Sequence, residues 1–249
     1  MRLPALSLAA LVLLSGCGMF GLRSAEGPTT ANRLRLAAVA EANNNVDVAL
    51  SIYRNAVAAD PDNPDVIAQY ARALADQGLG AEAVLVIEEA LARKPNERRL
   101  ILALGRTHVR LGDAANAAAA FERLRARAPR DPDALNGLGV IADLAGDHVA
   151  AQRLYREALA AAPKHVGARN NLALSLALSG DTDQAAMLLR QLRAEGNVTV
   201  RVRHNLGLVS AIAGDTATAR QLLAPELSTA ELDSLALVAA ALREGAGRR

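Results

Sequence analysis

Small, apolar and turn-forming residues return along this chain at one fixed interval. Ala49, Ala83, Ala117, Ala151, Ala185 and Ala219 are spaced 34 positions apart, and so are Gly78, Gly112, Gly146, Gly180 and Gly214. Pro61, Pro95, Pro129 and Pro163 keep the same step. A period of this size predicts stacked helix–turn–helix units, not one sheet or barrel. In the stretch from Asp131 to Pro163, Gly146 stops the first helix as a left-handed residue and Asp147 caps the second. The Gly-Asp pair recurs at Gly112-Asp113, Gly180-Asp181 and Gly214-Asp215. Pro163 ends the second helix, since proline lacks the N–H for the next backbone hydrogen bond.

Six units follow from this pattern. The first begins near Ala31, with helices over Asn32 to Ala42 and Val46 to Ala59 and with Asn44 at the glycine position. Asparagine tolerates the left-handed conformation better than most residues. The second runs from Pro64 to Pro95 and lacks the aspartate in its turn, Gly78-Leu79-Gly80. The fifth begins near Val166 and the sixth near Val200; both lack the closing proline, and Glu195-Gly196-Asn197 makes the turn in the fifth. Pro225 shortens the sixth. Ser228 and Glu231 then have capping-box spacing ahead of an apolar stripe, Leu232, Leu235, Ala236, Ala239 and Leu242, which predicts a last helix covering the open end, with Glu244 to Arg249 fraying.

The central unit carries Leu138, Gly139, Gly146, Ala151, Tyr155, Ala158 and Pro163, and the preceding one Leu104, Gly105, Gly112, Ala117, Phe121 and Pro129. In this the chain resembles the tetratricopeptide-repeat (TPR) family. The resemblance implies an all-α fold, a right-handed α-solenoid of TPR repeats with a C-terminal capping helix. It also implies that the first helices of successive units line a concave groove for extended peptides or partner helices. Projection onto that geometry places Arg99, Arg106, Arg110, Asn136, Asp143, Asn170, Asn171, His204 and Asn205 on or near the groove face. Asparagine amides both donate and accept, which suits recognition of a peptide backbone. The amide and guanidinium groups concentrate in the third to sixth units, so the partner is expected on the C-terminal half.

The N-terminus follows a different pattern. After Arg2 comes an apolar run, Leu3 to Leu14, too short to span a bilayer comfortably, which reads as an export signal. It ends in Leu14-Ser15-Gly16-Cys17, which resembles a bacterial lipobox, and Cys17 is the chain's single cysteine. The resemblance implies cleavage before Cys17 and lipid attachment to its thiol; the lack of aspartate at Gly18 resembles sorting to the outer membrane. The expected organisation is a signal peptide over 1–16, a lipidated cysteine and tether over 17–30, a solenoid over 31–227, and a capping helix with a frayed tail over 228–249.

Composition narrows the chemistry. Hydrophobic content is 51% and led by alanine, while aromatic residues make up 2%, which leaves few platforms for stacking nucleobases. The net charge of +2, from 28 basic and 26 acidic residues, is too balanced for a general polyanion binder, so no nucleic-acid partner is expected. Gly137-x-Gly139-x-x-Ala142 mimics a dinucleotide fingerprint but falls inside a predicted helix, where small residues serve packing. His108, His148, His165 and His204 lack metal-ligand spacing, and His108 sits at an apolar position expected of a satisfied core histidine. No nucleophile elbow, Walker loop or paired-carboxylate site stands out. The expectation is a non-enzymatic protein with no metal, no cofactor and no small-molecule substrate.

A lipobox, a short tether and TPR units together resemble the TadD lipoproteins of the tight-adherence (Flp) pilus system. The likeness is carried mostly by DALNGLGVIADLAGDHVAAQRLYREAL, ARNNLALSLALSGDTDQAAMLLRQL and RHNLGLVSAIAGDTATARQLL. It implies a scaffold or pilotin-like role on the periplasmic face of the outer membrane, with the secretin or another pilus-assembly component as partner. The alternative is a TPR lipoprotein of another envelope machine, serving outer-membrane protein assembly, polysaccharide export or a different pilus.

Overall fold

The computed structural model describes residues 29–197 and 199–246. The signal segment, Cys17 and most of the tether lie outside the described residues, as do the last three positions of the tail. Among the described residues the chain forms thirteen α-helices and no strand. They are α1 (Thr30–Ala42), α2 (Val46–Ala59), α3 (Pro64–Asp76), α4 (Gly80–Arg93), α5 (Arg98–Arg110), α6 (Ala114–Arg127), α7 (Pro132–Leu144), α8 (His148–Ala161), α9 (Val166–Leu178), α10 (Thr182–Ala194), α11 (Val200–Ile212), α12 (Thr216–Leu223) and α13 (Thr229–Ala246). Each odd helix from α1 to α11 packs against the even helix after it, and the even helix packs in turn on the next unit. This is the α-solenoid expected from the 34-residue period.

The turns are built as the sequence prescribes. Gly146 has φ +79°, its N–H bonds to the Asp143 carbonyl at 2.9 Å, and the Asp147 N–H bonds to the Ala142 carbonyl at 2.9 Å. That pair of bonds is the Schellman arrangement, which satisfies carbonyls the helix end would otherwise orphan. Asn44 makes the same left-handed turn with φ 58°, the one non-glycine residue to do so among the described residues. The side chains of Asp113, Asp147, Asp181 and Asp215 accept the backbone N–H three residues on, capping α6, α8, α10 and α12. Each such cap contributes about 1 kcal/mol. Leu79 offers no side-chain cap to α4.

Two register rows make the stacking. On the odd helices Ala37, Ala71, Gly105, Gly139, Ala173 and Gly207 are all buried. Opposite them the even helices bury Tyr53, Ile87, Phe121, Tyr155, Leu189 and Leu223. A methyl group added to Gly139 would stand 2.5 Å from the Tyr155 ring, and one added to Gly207 would stand 2.6 Å from Leu223. The small residue therefore lets the large one lie flat on the neighbouring helix. Phe121 is the extreme case, because its ring is walled by Gly105 in its own unit and by Gly137 in the next, each with a virtual methyl 2.6 Å away. The glycines of the fingerprint look-alike are thus packing positions inside α7.

Tyrosine in the large-residue row brings a carboxylate with it. The Tyr155 hydroxyl donates to Asp143 at 2.8 Å, and the Tyr53 hydroxyl donates to Glu41 at 3.3 Å. Asp143 and Glu41 hold the same place in their units, where units with an apolar ring position carry Ala75, Val109, Ala177 and Ala211. A buried hydroxyl needs a partner, and the acid supplies it. Burial, with Asp143 alongside, pushes the Tyr155 phenol well above its ordinary range.

At the C-terminal end Ser228 and Glu231 form the capping box: the Ser228 N–H donates to Glu231 at 2.7 Å and the Glu231 N–H to the Ser228 hydroxyl at 3.4 Å. Leu232 and Ala239 of α13 are buried, and α13 packs on α11 and α12. The helix runs on through Gly245 to Ala246, two residues beyond the point where fraying was expected.

Candidate functional site

The odd helices α3, α5, α7, α9 and α11 line one open groove of about 900 Å³. Its wall carries Asp65, Gln69 and Arg72 from α3, then Arg98, Arg99, Arg106 and Arg110 from α5. Asp133, Asn136 and Val140 follow from α7, and Asn171 and Arg201 close it on α9 and α11, with His165 from the N-cap of α9. Of the nine residues projected onto this face, Arg99, Arg106, Arg110, Asn136 and Asn171 line it. Asp143, Asn170, His204 and Asn205 do not.

Each of those four is engaged within the fold. Asp143 accepts from the Tyr155 hydroxyl and from the Ser175 hydroxyl at 2.7 Å, and stands 2.9 Å from His148 Nδ1, so it ties α7 to α8 and α9. His204 and Arg203 both meet the Glu226 carboxylate, His204 at 3.1 Å. Asn170 is only 2% exposed. Its carbonyl accepts from Asn205 Nδ2 at 3.0 Å and its amide donates to Asn171 at 3.3 Å; Asn171 in turn donates to Asn136 at 3.0 Å. The four asparagines thus form one amide chain across units four to six. Amides spent on one another hold the units in register, and of the four only Asn136 and Asn171 line the groove.

The wall is ionic at one end. Arg72 bridges Glu41 at 2.7 Å and Asp76 at 2.9 Å, and Arg110 meets the same Asp76 at 3.0 Å. Arg99 pairs with Asp65. Asp133 collects two guanidiniums and an imidazole, Arg98 and Arg106 at 2.8 Å each and His165 Nε2 at 3.3 Å. The His165 hydrogen bond and these arginines, outweighing partial burial, hold the Asp133 carboxyl far below the usual carboxylate range. For Asp131 burial works upward, yet Arg98 at 2.6 Å and the Ala134 N–H keep that carboxyl low as well. His165 is fixed from both sides, because its Nδ1 accepts the Ala168 N–H at 2.9 Å as the cap of α9.

Sequence projection missed Arg98, Asp133, His165 and Arg201. The signal was present in the period itself: Asp65, Arg99, Asp133 and Arg201 are related by steps of 34 or its double, with Gly167 between the last two. His108 also departs from expectation. It is buried, but its Nδ1 makes no hydrogen bond although Asp113 lies 3.1 Å away. The Asp113 carboxylate is directed at the Asn116 N–H and amide instead, as the cap of α6 requires. Among the described residues no group of three His, Cys, Asp or Glu side chains is placed to hold a metal ion, and no helix is long and apolar enough to cross a membrane.

An array of paired helices around an open groove defines a protein-interaction scaffold. Tetratricopeptide-repeat families match the sequence, one over residues 102–165 and another over 40–106 and 144–204, and the chain belongs to the tetratricopeptide-repeat family. None of the curated proteins matches it in sequence. Solved structures share the fold. A thermophilic TPR protein from Thermus thermophilus is 21% identical with a TM-score of 0.62, covering 73% of this chain and 98% of its own. PilW, described as a widely conserved type IV pilus biogenesis factor, is 18% identical at TM-score 0.58, over 84% of this chain and 97% of its own. The pilF protein of Pseudomonas aeruginosa is 16% identical at TM-score 0.55, over 82% and 95%.

Proposed function

We propose that this protein is a lipid-anchored scaffold of the outer membrane that acts, in a pilotin-like way, in assembling the secretin of an Flp-type pilus. The observation that carries the reading is the joining of a lipobox-like Leu14-Ser15-Gly16-Cys17 to a solenoid whose groove is open along five helices. Cys17 is the attachment point, and the short Gly- and Pro-broken tether holds the solenoid close to the membrane surface. Acyl chains at one cysteine supply about 0.8 kcal/mol per buried methylene, enough for stable anchoring when more than one chain is attached. The groove then presents fixed side chains to an extended segment or helix of a secretin or another pilus-assembly component. That two proteins of the same fold are named for pili accords with this assignment.

Fractionation of cells carrying wild type and a Cys17→Ser variant tests the anchor. Wild type is expected in the outer-membrane fraction and the variant in the soluble periplasm, with altered gel mobility; unchanged recovery and mobility would sink the lipoprotein assignment. In the same cells, heat-resistant secretin multimers should fall when the gene is deleted and stay low when it is replaced by a folded Arg99→Ala/Arg106→Ala/Arg110→Ala variant. Normal multimer levels in the deletion strain would remove the secretin role.

A further inference from the structure

The groove changes chemistry halfway along, and the change follows two register rows. One row reads Arg72, Arg106, Val140, Leu174, Leu208 from the second unit to the sixth; the other reads Asp76, Arg110, Leu144, Leu178. In the first row units two and three offer guanidinium groups where units four and five offer aliphatic side chains; in the second the charged pair Asp76 and Arg110 gives way to Leu144 and Leu178. Val140 lines the groove and is half-buried; Leu174 continues its row, also half-buried, and Leu144 and Leu178 stand exposed beside the groove in the second row.

The ionic half is not neutralised as seen by an incoming chain, although its arginines have carboxylate partners. At the centre of the ionic half the carboxylates sit deeper than the guanidiniums they hold: Asp131 and Asp133 are 7% and 24% exposed, against 45% and 56% for Arg98 and Arg106, whereas Asp76 stands level with its partners Arg72 and Arg110. Arg72 likewise stands more exposed than Glu41 behind it. Deep acids fix the forks of Arg98 and Arg106, which remain the more exposed partners, a preorganised cationic surface that costs a ligand little ordering. Arg201 adds a further cation on the wall, with no ion pair among the described residues.

Resting on the scaffold reading above, we propose that the groove receives one partner segment with a block of carboxylates beside a block of aliphatic residues. The acidic block lies over Arg72, Arg106 and Arg110, and the aliphatic block over Val140, Leu144 and Leu174. Charge fixes the register and direction of the segment along the solenoid, and the apolar row supplies the area it buries.

The test uses the full purified chain and two labelled synthetic peptides, one with a glutamate block next to a leucine–valine block, the other with lysines in place of the glutamates. Fluorescence anisotropy at low salt should show the glutamate peptide bound at least roughly tenfold more tightly, with the gap closing as salt rises. Arg106→Ala with Arg110→Ala should abolish the preference between peptides. Leu144→Gln with Leu178→Gln, both at exposed positions, should weaken the glutamate peptide by roughly tenfold while leaving the preference in place. Equal binding of the two peptides, or no binding of either, overturns the proposal, and both are measured on wild type, so no variant need fold for the idea to fail. Should the peptides fail while the triple arginine variant still lowers secretin multimers, the scaffold reading stands and only this partner chemistry falls.

Discussion

Replacing Gly137 with alanine separates helix propensity from packing in one step. Gly137 lies inside α7, so propensity alone predicts that alanine stabilises by about 1 kcal/mol. Packing predicts the opposite, since the new methyl would stand 2.6 Å from each of three atoms of the Phe121 ring. That ring is 1% exposed and is walled behind by Gly105, so it has nowhere to retreat. Overpacking a site of this kind costs about 1–3 kcal/mol, and with three contacts at once the upper end applies, leaving a net loss of about 2 kcal/mol. For a chain of this size that lowers Tm by roughly 4–8 °C. The chain also contains its own compensated version: one period earlier, Ala71 and Ile87 of the second unit and Ala103 of the third fill the equivalent places. Phe121→Ile alone should cost about 1–2 kcal/mol through the space it vacates, and combining it with Gly137→Ala should cost less than the sum of the two by at least about 1 kcal/mol. Urea midpoints of the four proteins, followed by far-UV circular dichroism, give the cycle. A Gly137→Ala protein more stable than wild type, or strict additivity in the double variant, would refute the interlocked ring.

Gly146→Val should lose about 1–2 kcal/mol for a different reason, because nothing lies within 4 Å of the added carbon and the whole cost is the left-handed backbone; Gly146→Asn, which copies Asn44, should lose less, and a valine variant as stable as wild type would mean that the turn is not strained. Asp133→Asn should destabilise by about 2 kcal/mol at neutral pH. Because the folded carboxyl is held low, this contribution is present above the ordinary carboxylate range, near pH 4, and is lost as pH falls below it; the wild-type and variant urea midpoints should therefore converge on acidification, and a gap that persists at low pH contradicts the ion cluster. Asn170→Ala should cost about 1–3 kcal/mol by leaving Asn205 Nδ2 without its acceptor and Asn171 Oδ1 without its donor, whereas Asn136→Ala, at the end of the amide chain, should cost under about 1 kcal/mol; equal costs measured by denaturation would show that the four amides do not act in series.

Helix boundaries were legible because each is marked by a residue with few alternatives. Gly146, Asp147 and Pro163 are chemically forced at a helix stop, a helix cap and a helix end, and their copies one period away carry the same forcing. The groove was less legible. Projection placed Asn170 and Asn205 on the open face because an amide looks outward on a helical wheel, yet partners 35 residues apart turned them to each other. Asp143 went astray for a related reason: its use is set by Tyr155, twelve residues on and on the other helix of the unit. Pairings of this kind depend on which side chains the stacking brings face to face, and a single helix does not contain that information. The groove opens on α3, and its densest charge lies on α5 and α7, in the third and fourth of the units where guanidinium and amide groups concentrate along the sequence.

The two kinds of register row in this solenoid also explain why fold and partner choice can vary separately. Where units touch, the alternatives are narrow: Ala or Gly on the odd helix, one large buried residue on the even helix, and an acid only where that residue is a tyrosine. Where the odd helices face the groove, the row through Asp65 continues as Arg99, Asp133, Gly167 and Arg201, with no common size, charge or polarity. A position that the stacking leaves free is held in space by the repeat but not in identity. The repeat thus supplies evenly spaced anchor points, and one such row passes from the interhelical ion pairs of Arg72 and Arg106 to the partly buried Val140 and Leu174 while the small-on-large stacking rows keep their pattern.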